Sequence, residues 1–146
     1  MLAEAVLFST LVLQAGSGPP APQPAQQFRV IVHPSNPVDS ISRQQLSAVY
    51  MKKVRQWPDR TEIIPLDQSP ASRVRERFSD AVHGKSVAYV TRYWHRLIFS
   101  GRGLPPSEQN SSAAVAEFVA GNRGAIGYVS SDLDLGESVK VILVTP

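Results

Sequence analysis

The chain has 146 residues, of which 42% are hydrophobic and 18% are charged, and its net charge is +3. This composition fits one domain with its own hydrophobic core, and it argues against two independent domains and against a nucleic-acid-binding protein. Cysteine is absent, which excludes disulfides, thiolate metal ligands and a thiol nucleophile.

Residues 1–27 differ in composition from the rest of the chain. MLAEAVLFSTLVLQA is apolar and leads into the Pro/Gly/Gln-rich GSGPPAPQPAQQ. This pattern is typical of a secretory signal followed by a linker, although no basic residue precedes the apolar run and Glu4 is the only charge before Arg29. The alternative is a buried helix. Because the run is shorter than the ~20 residues that a membrane span needs, we expect export to the periplasm without stable membrane insertion.

Four segments that are rich in β-branched and apolar residues predict strands in the domain at 28–146. They are FRVIVH (28–33), TEIIPL (61–66), AIGYV (125–129) and VKVILV (139–144). In the second segment, Pro65 lacks a backbone N–H, which indicates a sheet edge or a strand end. In the third, Gly127 indicates a close approach of another element to the backbone.

Four other segments have the apolar spacing of amphipathic helices. They lie at about 43–51, 73–83, 86–101 and 112–121. Ser42 with Gln45 has the form of a capping box, and Ser72 is placed to cap the second helix. The predicted buried faces include Ala81 in the second helix and Ile98 in the third. Strands interleaved with helices predict an α/β domain in which helices cover a mixed sheet.

Four separated pieces of the sequence carry a resemblance to one family. They are VYMKKVRQWPD (49–59), PLDQSPASRVRERF (65–78), YWHRLIFSGRGLPP (93–106) and AIGYV (125–129). In this order they resemble the substrate-binding proteins of phosphate-type ABC transporters, in particular short, single-lobe relatives. The resemblance implies a single-lobe domain like a periplasmic binding protein, no catalysis and no cofactor. It also implies phosphate or another oxyanion as ligand and a transporter permease or other envelope protein as partner.

The family's binding segment, R-x-x-G-S-G-T, is only partly kept. Its positions correspond here to Gln68 (arginine), Ala71 (glycine), Ser72 (serine), Arg73 (glycine) and Val74 (threonine). The resemblance therefore makes Ser72, Arg73, Gln68 and Val74 the candidate anion-binding residues. A guanidinium beside the positive end of a helix can hold two oxygens of an anion.

A second interpretation of this segment needs no ligand. Ser72 then only caps the helix, and the following arginines are solvated, with one of them pairing with Glu76 or Asp80. Both interpretations stay open on the sequence alone.

The basic stretch that contains Lys52, Lys53 and Arg55 is either a docking patch for an acidic partner or a solvated helix end. The family commonly has glycines at the positions of Lys52 and Arg60, and their loss predicts altered loops. Trp57 and Trp94 are predicted to be packing residues.

The sequence offers no catalytic or metal signature. The three histidines lack metal-ligand spacing, and no serine-nucleophile, zinc-protease or phosphate-loop motif is present. Two hypotheses follow. One is a noncatalytic periplasmic solute-binding-like protein that binds an oxyanion in phosphate transport or sensing. The other is an envelope interaction module on a binding-protein fold that has lost its ligand site.

Overall fold

A computed structural model describes residues 27–146. The strands are β1 (Phe28–Val32), β2 (Ser40–Ser42), β3 (Ile64–Gln68), β4 (Ser107–Gln109), β5 (Ala125–Ser130) and β6 (Lys140–Thr145). The helices are α1 (Arg43–Tyr50), α2 (Arg73–Phe78), α3 (Val87–Phe99) and α4 (Ser112–Gly121), and a π-helical turn, Ser79–His83, continues α2. Apart from Gln27, the predicted secretory segment and linker lie outside the described residues.

The strands form one mixed sheet in the order β2-β6-β1-β5-β3-β4. β1 is antiparallel to both of its neighbours, whereas β2 with β6, β5 with β3 and β3 with β4 are parallel pairs. All four predicted strands are present. The sequence analysis missed β2 and β4, which have three residues each and form the two edges of the sheet. The predicted α/β fold class is confirmed.

The second predicted strand begins later than expected, at Ile64. Pro65 pairs with Ile126 of β5, while β4 reaches only Leu66–Gln68 on the other side of β3. The missing N–H of Pro65 therefore lies beyond the end of β4, where no ladder bond is lost. Pro65 marks a strand end inside the sheet, which is one of the two predicted alternatives.

Both faces of the sheet are covered, which explains why β1 is apolar at every position except Arg29. One face packs against α1, α2 and the π-helical turn, and its core contains five aromatic side chains: Phe28, Tyr50, Trp57, Phe78 and Tyr128. The rings of Phe78 and Tyr128 stack with their centroids 3.9 Å apart. The other face packs against Val115 and Val119 of α4.

Gly127 of β5 lies directly beneath α4. A methyl group in place of its α-hydrogen would overlap with Cγ1 of Val115 and touch Val119. The close approach that the sequence predicts at Gly127 is thus confirmed.

Two predicted buried positions are exposed. Ala81 lies in the π-helical turn, whose wider turn rotates residues away from the positions that an α-helical spacing predicts. Ile98 is 42% exposed because α3 buries mainly Val90 and Trp94. Trp57 and Trp94 are both buried, as predicted.

The loops around the basic stretch keep left-handed backbone without glycine. Lys52 has a φ of 55° and Arg60 a φ of 70°. After α1, the N–H of Lys52 donates to Val49 O (3.0 Å) and that of Lys53 to Ala48 O (2.9 Å), which is a Schellman motif with Lys52 at its left-handed position. Both residues thus adopt the left-handed conformation that glycine favours, and hydrogen bonds of the surrounding backbone hold it.

Candidate functional site

The candidate site lies at the carboxyl end of β3, where two helices begin. Gln68 is the last residue of β3, Ser72 is the N-cap of α2, and Ser112 is the first residue of α4. Helix starts at the ends of parallel strands are common ligand positions, because free backbone N–H groups and the helix dipole attract anions. The fold thus brings Ser72 and Gln68 together, as the resemblance implies.

The side-chain amide of Gln68 bridges the two helix starts. Its Nε2 donates hydrogen bonds to the backbone oxygen of Tyr128 (2.8 Å) and to Oγ of Ser112 (3.1 Å). Its Oε1 accepts a hydrogen bond from Oγ of Ser72 (3.1 Å). Gln68 is only 3% exposed. Both amide N–H donors of this side chain and its oxygen are therefore engaged within the protein.

The two serine hydroxyls have further partners of their own. Oγ of Ser72 accepts a hydrogen bond from the N–H of Arg75 (3.3 Å), which shows that Ser72 caps α2. Oγ of Ser112 also accepts from the N–H of Ser130 (2.9 Å). Both hydroxyls thus already have hydrogen-bond partners within the protein.

An ionic cluster lies next to the Gln68 amide, with Arg75 and Asp67 buried and Glu108 exposed at its edge. Nε of Arg75 is 3.3 Å from Oδ1 of Asp67, and its Nη1 donates to Oε1 of Glu108 (2.7 Å) and to the backbone oxygen of Gln68 (2.8 Å). Arg75 is only 6% exposed. For Arg75, this corrects the expectation that the arginines after Ser72 are solvated or pair with Glu76 or Asp80, whereas Arg73 and Arg77 are exposed as that interpretation expects.

Asp67 accepts hydrogen bonds from the hydroxyl of Tyr128 and from the N–H of Gln68 (3.0 Å). Burial raises the pKa of Asp67, and the positive charge of Arg75 and the Tyr128 hydrogen bond oppose that rise. Burial, with the charge of Asp67 adding to it, raises the pKa of the Tyr128 hydroxyl and that of Tyr50. Both phenols are therefore protonated hydrogen-bond donors at neutral pH.

The charge of this cluster does not favour an anion. One guanidinium, that of Arg75, faces two carboxyl groups, those of Asp67 and Glu108. An oxyanion at the Gln68 position would meet carboxyl groups nearby and would find the local cation already paired.

Two of the predicted anion-binding residues lie elsewhere. Arg73 is exposed and borders a shallow surface depression with Glu76, Arg77 and Asp80, two of which are acidic. The side chain of Val74 is half-buried and packs against the aromatic core.

Sequence reasoning missed the roles of Asp67, Glu108, Tyr128 and Ser112. One signal was available for the first of these. Asp67 follows apolar residues at the end of a predicted strand, and a buried carboxylate requires a cation or several hydrogen-bond donors. The identity of the partners was not readable, since Glu108 lies 33 residues beyond Arg75.

The predicted docking patch borders an apolar groove. Lys53 and Arg55 are exposed, and Lys52 is half-buried. A groove of about 320 Å³ lies beside them and is lined by apolar residues of α1, of β2 and the turn before it, and of the 54–63 loop: Val38, Ile41, Val49, Val54, Trp57 and Ile63. Lys52 and Arg55 line a smaller neighbouring depression that shares Val49, Val54 and Ile63 with this groove. A basic rim beside an apolar groove is a suitable surface for a partner that carries both acidic and apolar side chains.

The fold and the position of the site define one lobe of a binding protein in which helices start at the ends of parallel strands. A family model described as "PBP superfamily domain" matches residues 25–141. The chain belongs to this superfamily, whose phosphate-type substrate-binding members it resembles. No curated protein matches the chain in sequence.

Two solved structures show the likeness in fold. A protein from Clostridium perfringens, solved with bound phosphate and assigned as a phosphate ABC transporter substrate-binding protein, superposes with a TM-score of 0.63 at 23% identity, over 81% of this chain and 44% of that one. An ABC-type phosphate transport receptor from Vibrio cholerae gives a TM-score of 0.63 at 21% identity, over 81% of this chain and 46% of that one. This chain thus spans less than half the length of either protein. No helix within residues 27–146 has the length and apolar character to cross a bilayer.

Proposed function

We propose that this protein is a noncatalytic binding domain, exported to the periplasm, that serves phosphate transport or sensing through contacts with an envelope protein. In this proposal the domain does not hold an oxyanion by itself. The observation that carries it is the amide of Gln68, which lies between the starts of α2 and α4, where an anion would be held.

The energetic argument rests on the hydrogen bonds that an anion would have to replace. Moving the Gln68 side chain breaks its three hydrogen bonds, with Ser72, Ser112 and the backbone of Tyr128. A buried polar group left without a partner costs about 1–3 kcal/mol. The nearby carboxyl groups add an electrostatic cost for any second negative charge.

The partner surface in this proposal is the basic patch of Lys52, Lys53 and Arg55 together with the apolar groove beside it. A transporter permease or another envelope protein with acidic side chains around an apolar segment would complement both parts. The apolar groove would supply affinity, and the basic rim would speed association and set orientation.

The second candidate function is oxyanion binding by Ser72 and Arg73, with Gln68 and Val74 as neighbours. Two helix starts that meet at one point favour it, because each adds positive potential there. In this case phosphate would have to displace the amide of Gln68.

A calorimetric titration of the full chain with phosphate, with sulfate as competitor, separates the two functions. The proposed function predicts no saturable heat at millimolar phosphate. Saturable binding that is lost in Arg73→Ala and kept in Arg77→Ala would establish the second candidate instead. Arg77 is the control because it is also an exposed arginine on α2 but lies one helical turn further from Ser72.

The protein contact has its own test. Envelope partners captured by cross-linking are compared between the natural chain, Lys53→Glu/Arg55→Glu and the control Arg73→Glu/Arg77→Glu, which reverses two exposed arginines on another surface. We expect the patch variant alone to lose the partner, by about tenfold or more in yield. Equal retention in both variants would exclude the patch.

A further inference from the structure

The outward side of α3 carries aromatic and basic side chains together. Tyr89, Arg92, Arg96 and Phe99 follow one another at helical spacings of three and four residues, which places them on one stripe of the helix. All four are exposed, and Phe99 is 90% exposed at the last position of α3. These four residues form the α3 surface.

This stripe lies in a part of the chain that lacks acidic residues. No aspartate or glutamate occurs over residues 81–106, whereas four basic residues do: Lys85, Arg92, Arg96 and Arg102. Within residues 27–146, the ion pairs join Arg75 to Asp67 and Glu108, and Lys140 to Asp39. The positive charges of α3 are thus not neutralised by paired carboxylates in the described part of the chain.

The apolar part of the surface is concentrated at the end of the helix. Gly101, with a φ of 67°, closes α3 in a Schellman motif in which the N–H of Arg102 donates to Leu97 O (2.9 Å). Leu104, on the loop that follows, is 68% exposed. At the start of the helix, Nζ of Lys85 lies 4.9 Å from the centre of the Tyr89 ring.

We propose that the α3 surface binds the face of an anionic lipid membrane peripherally. Arginines along one stripe would contact lipid phosphates, and Phe99 would enter the boundary between headgroups and acyl chains. Basic side chains with Phe or Leu beside them are the composition of interfacial helices, and each cation near an anionic surface contributes about 1 kcal/mol.

The shape of the surface favours lipid over an acidic protein. The stripe runs along an exposed, convex helix rather than in a groove, so a plane of headgroups can meet its whole length. A protein partner would need a matching concave surface, and it would need to bury Phe99 at the helix end. The proposal does not depend on Gln68 or on the patch at Lys52, so its test is independent of the tests of the proposed function.

The test is co-sedimentation of the full chain with vesicles of phosphatidylcholine alone and of phosphatidylcholine mixed with phosphatidylglycerol. We expect Arg92→Gln/Arg96→Gln to lower binding to the anionic vesicles by about 30-fold, from about 1 kcal/mol per charge. The matched control Arg92→Lys/Arg96→Lys keeps the charge and should bind nearly as the natural chain. Residues 1–26 are common to all variants, so the differences report α3.

The apolar contribution is tested by Phe99→Ser, with Leu143→Ser as control. Leu143 is 66% exposed on β6, so its loss also removes an exposed apolar side chain from the surface. We expect only Phe99→Ser to weaken vesicle binding. Because the chain has no cysteine, Ser100→Cys accepts a single environment-sensitive dye, whose emission should shift to the blue with anionic vesicles.

Equal binding to neutral and anionic vesicles, or binding unchanged in Arg92→Gln/Arg96→Gln, would overturn the proposal. Binding to soluble polyglutamate but not to vesicles would also overturn it, and would assign the α3 surface to an acidic protein.

Discussion

Arg75 and Asp67 form an ion pair inside the protein, with Nε of the arginine 3.3 Å from Oδ1 of the aspartate and with side-chain exposures of 7% and 10%. The pair joins the end of β3 to the first turn of α2. Because Arg75 also contacts Glu108, it links three elements that are separate in sequence. This cluster holds the helix start in place beside Gln68.

Removal of this guanidinium should cost much of the protein's stability. We expect Arg75→Ala to lower the free energy of unfolding by about 3–5 kcal/mol, because Asp67 is then left buried without its cation. Urea unfolding followed by circular dichroism measures the loss. Arg77→Ala, on the exposed side of the same helix, should change stability by no more than about 0.5 kcal/mol. Similar losses in the two variants would show that the ion pair has no special structural role.

The contrast between Ser72 and Arg75 shows what the sequence could predict at the site. The cap at Ser72 depends on residues within one turn, so local spacing was sufficient to predict it. The burial of Arg75 depends on Glu108 and on strand β4, whose pairing with β3 is set by tertiary structure. Likewise, the position of the Gln68 amide depends on Ser112, 44 residues away.

Glycine in place of the left-handed residues Lys52 and Arg60 should stabilise the protein. A left-handed conformation costs a non-glycine residue about 1–2 kcal/mol. Glycine removes this cost, but it also increases the conformational entropy of the unfolded chain, which cancels part of the gain in stability. We therefore expect Lys52→Gly and Arg60→Gly each to raise the free energy of unfolding by up to about 1 kcal/mol. Lys53→Gly is the control, since Lys53 does not have a positive φ, and it should lower stability by about 0.5–1 kcal/mol. A loss of stability in all three glycine variants would mean that the side chains of Lys52 and Arg60 contribute more than the strain costs.

These loops also show a limit of prediction from residue type. Lysine and arginine do not favour a left-handed backbone, yet the Schellman bonds after α1 and the turn closed by Arg60 N–H to Trp57 O (2.8 Å) hold Lys52 and Arg60 in it. The preference of Lys52 and Arg60 for a backbone that is not left-handed is therefore weaker than the hydrogen bonds and packing of the segments on either side.

A side chain at position 127 should destabilise the protein. We expect Gly127→Ala to lower the free energy of unfolding by about 1–3 kcal/mol, because the new methyl group would overlap with Val115 and push α4 from the sheet. Gly121→Ala is the matched control, since a methyl group there would meet no atom within 4 Å and φ is not left-handed. Thermal unfolding of both variants checks this, and equal melting temperatures would contradict the close packing of α4 on β5.

His83 should make stability depend on pH. Its Nδ1 lies 2.8 Å from Oγ of Ser47, and burial, together with the charge of Arg75, lowers its pKa to about 4. An unfolded histidine has a pKa of about 6.5, so between pH 6.5 and 4 the unfolded chain takes up a proton that the folded chain does not. Stability from this group is therefore complete above pH 6.5 and is lost as pH falls towards 4, by about 3 kcal/mol in total.

The raised pKa of Asp67 acts in the opposite direction, since the folded chain then retains a proton to higher pH than the unfolded chain does. The contribution of His83 must therefore be read as a difference between variants. We expect the drop in the free energy of unfolding from pH 7 to pH 4.5 to be smaller in His83→Asn than in the natural chain. His95→Asn, at an exposed position, should keep the natural drop. An equal drop in His83→Asn and in the natural chain would contradict the prediction. It would mean that His83 is protonated in the folded protein, so that its burial is not maintained at low pH.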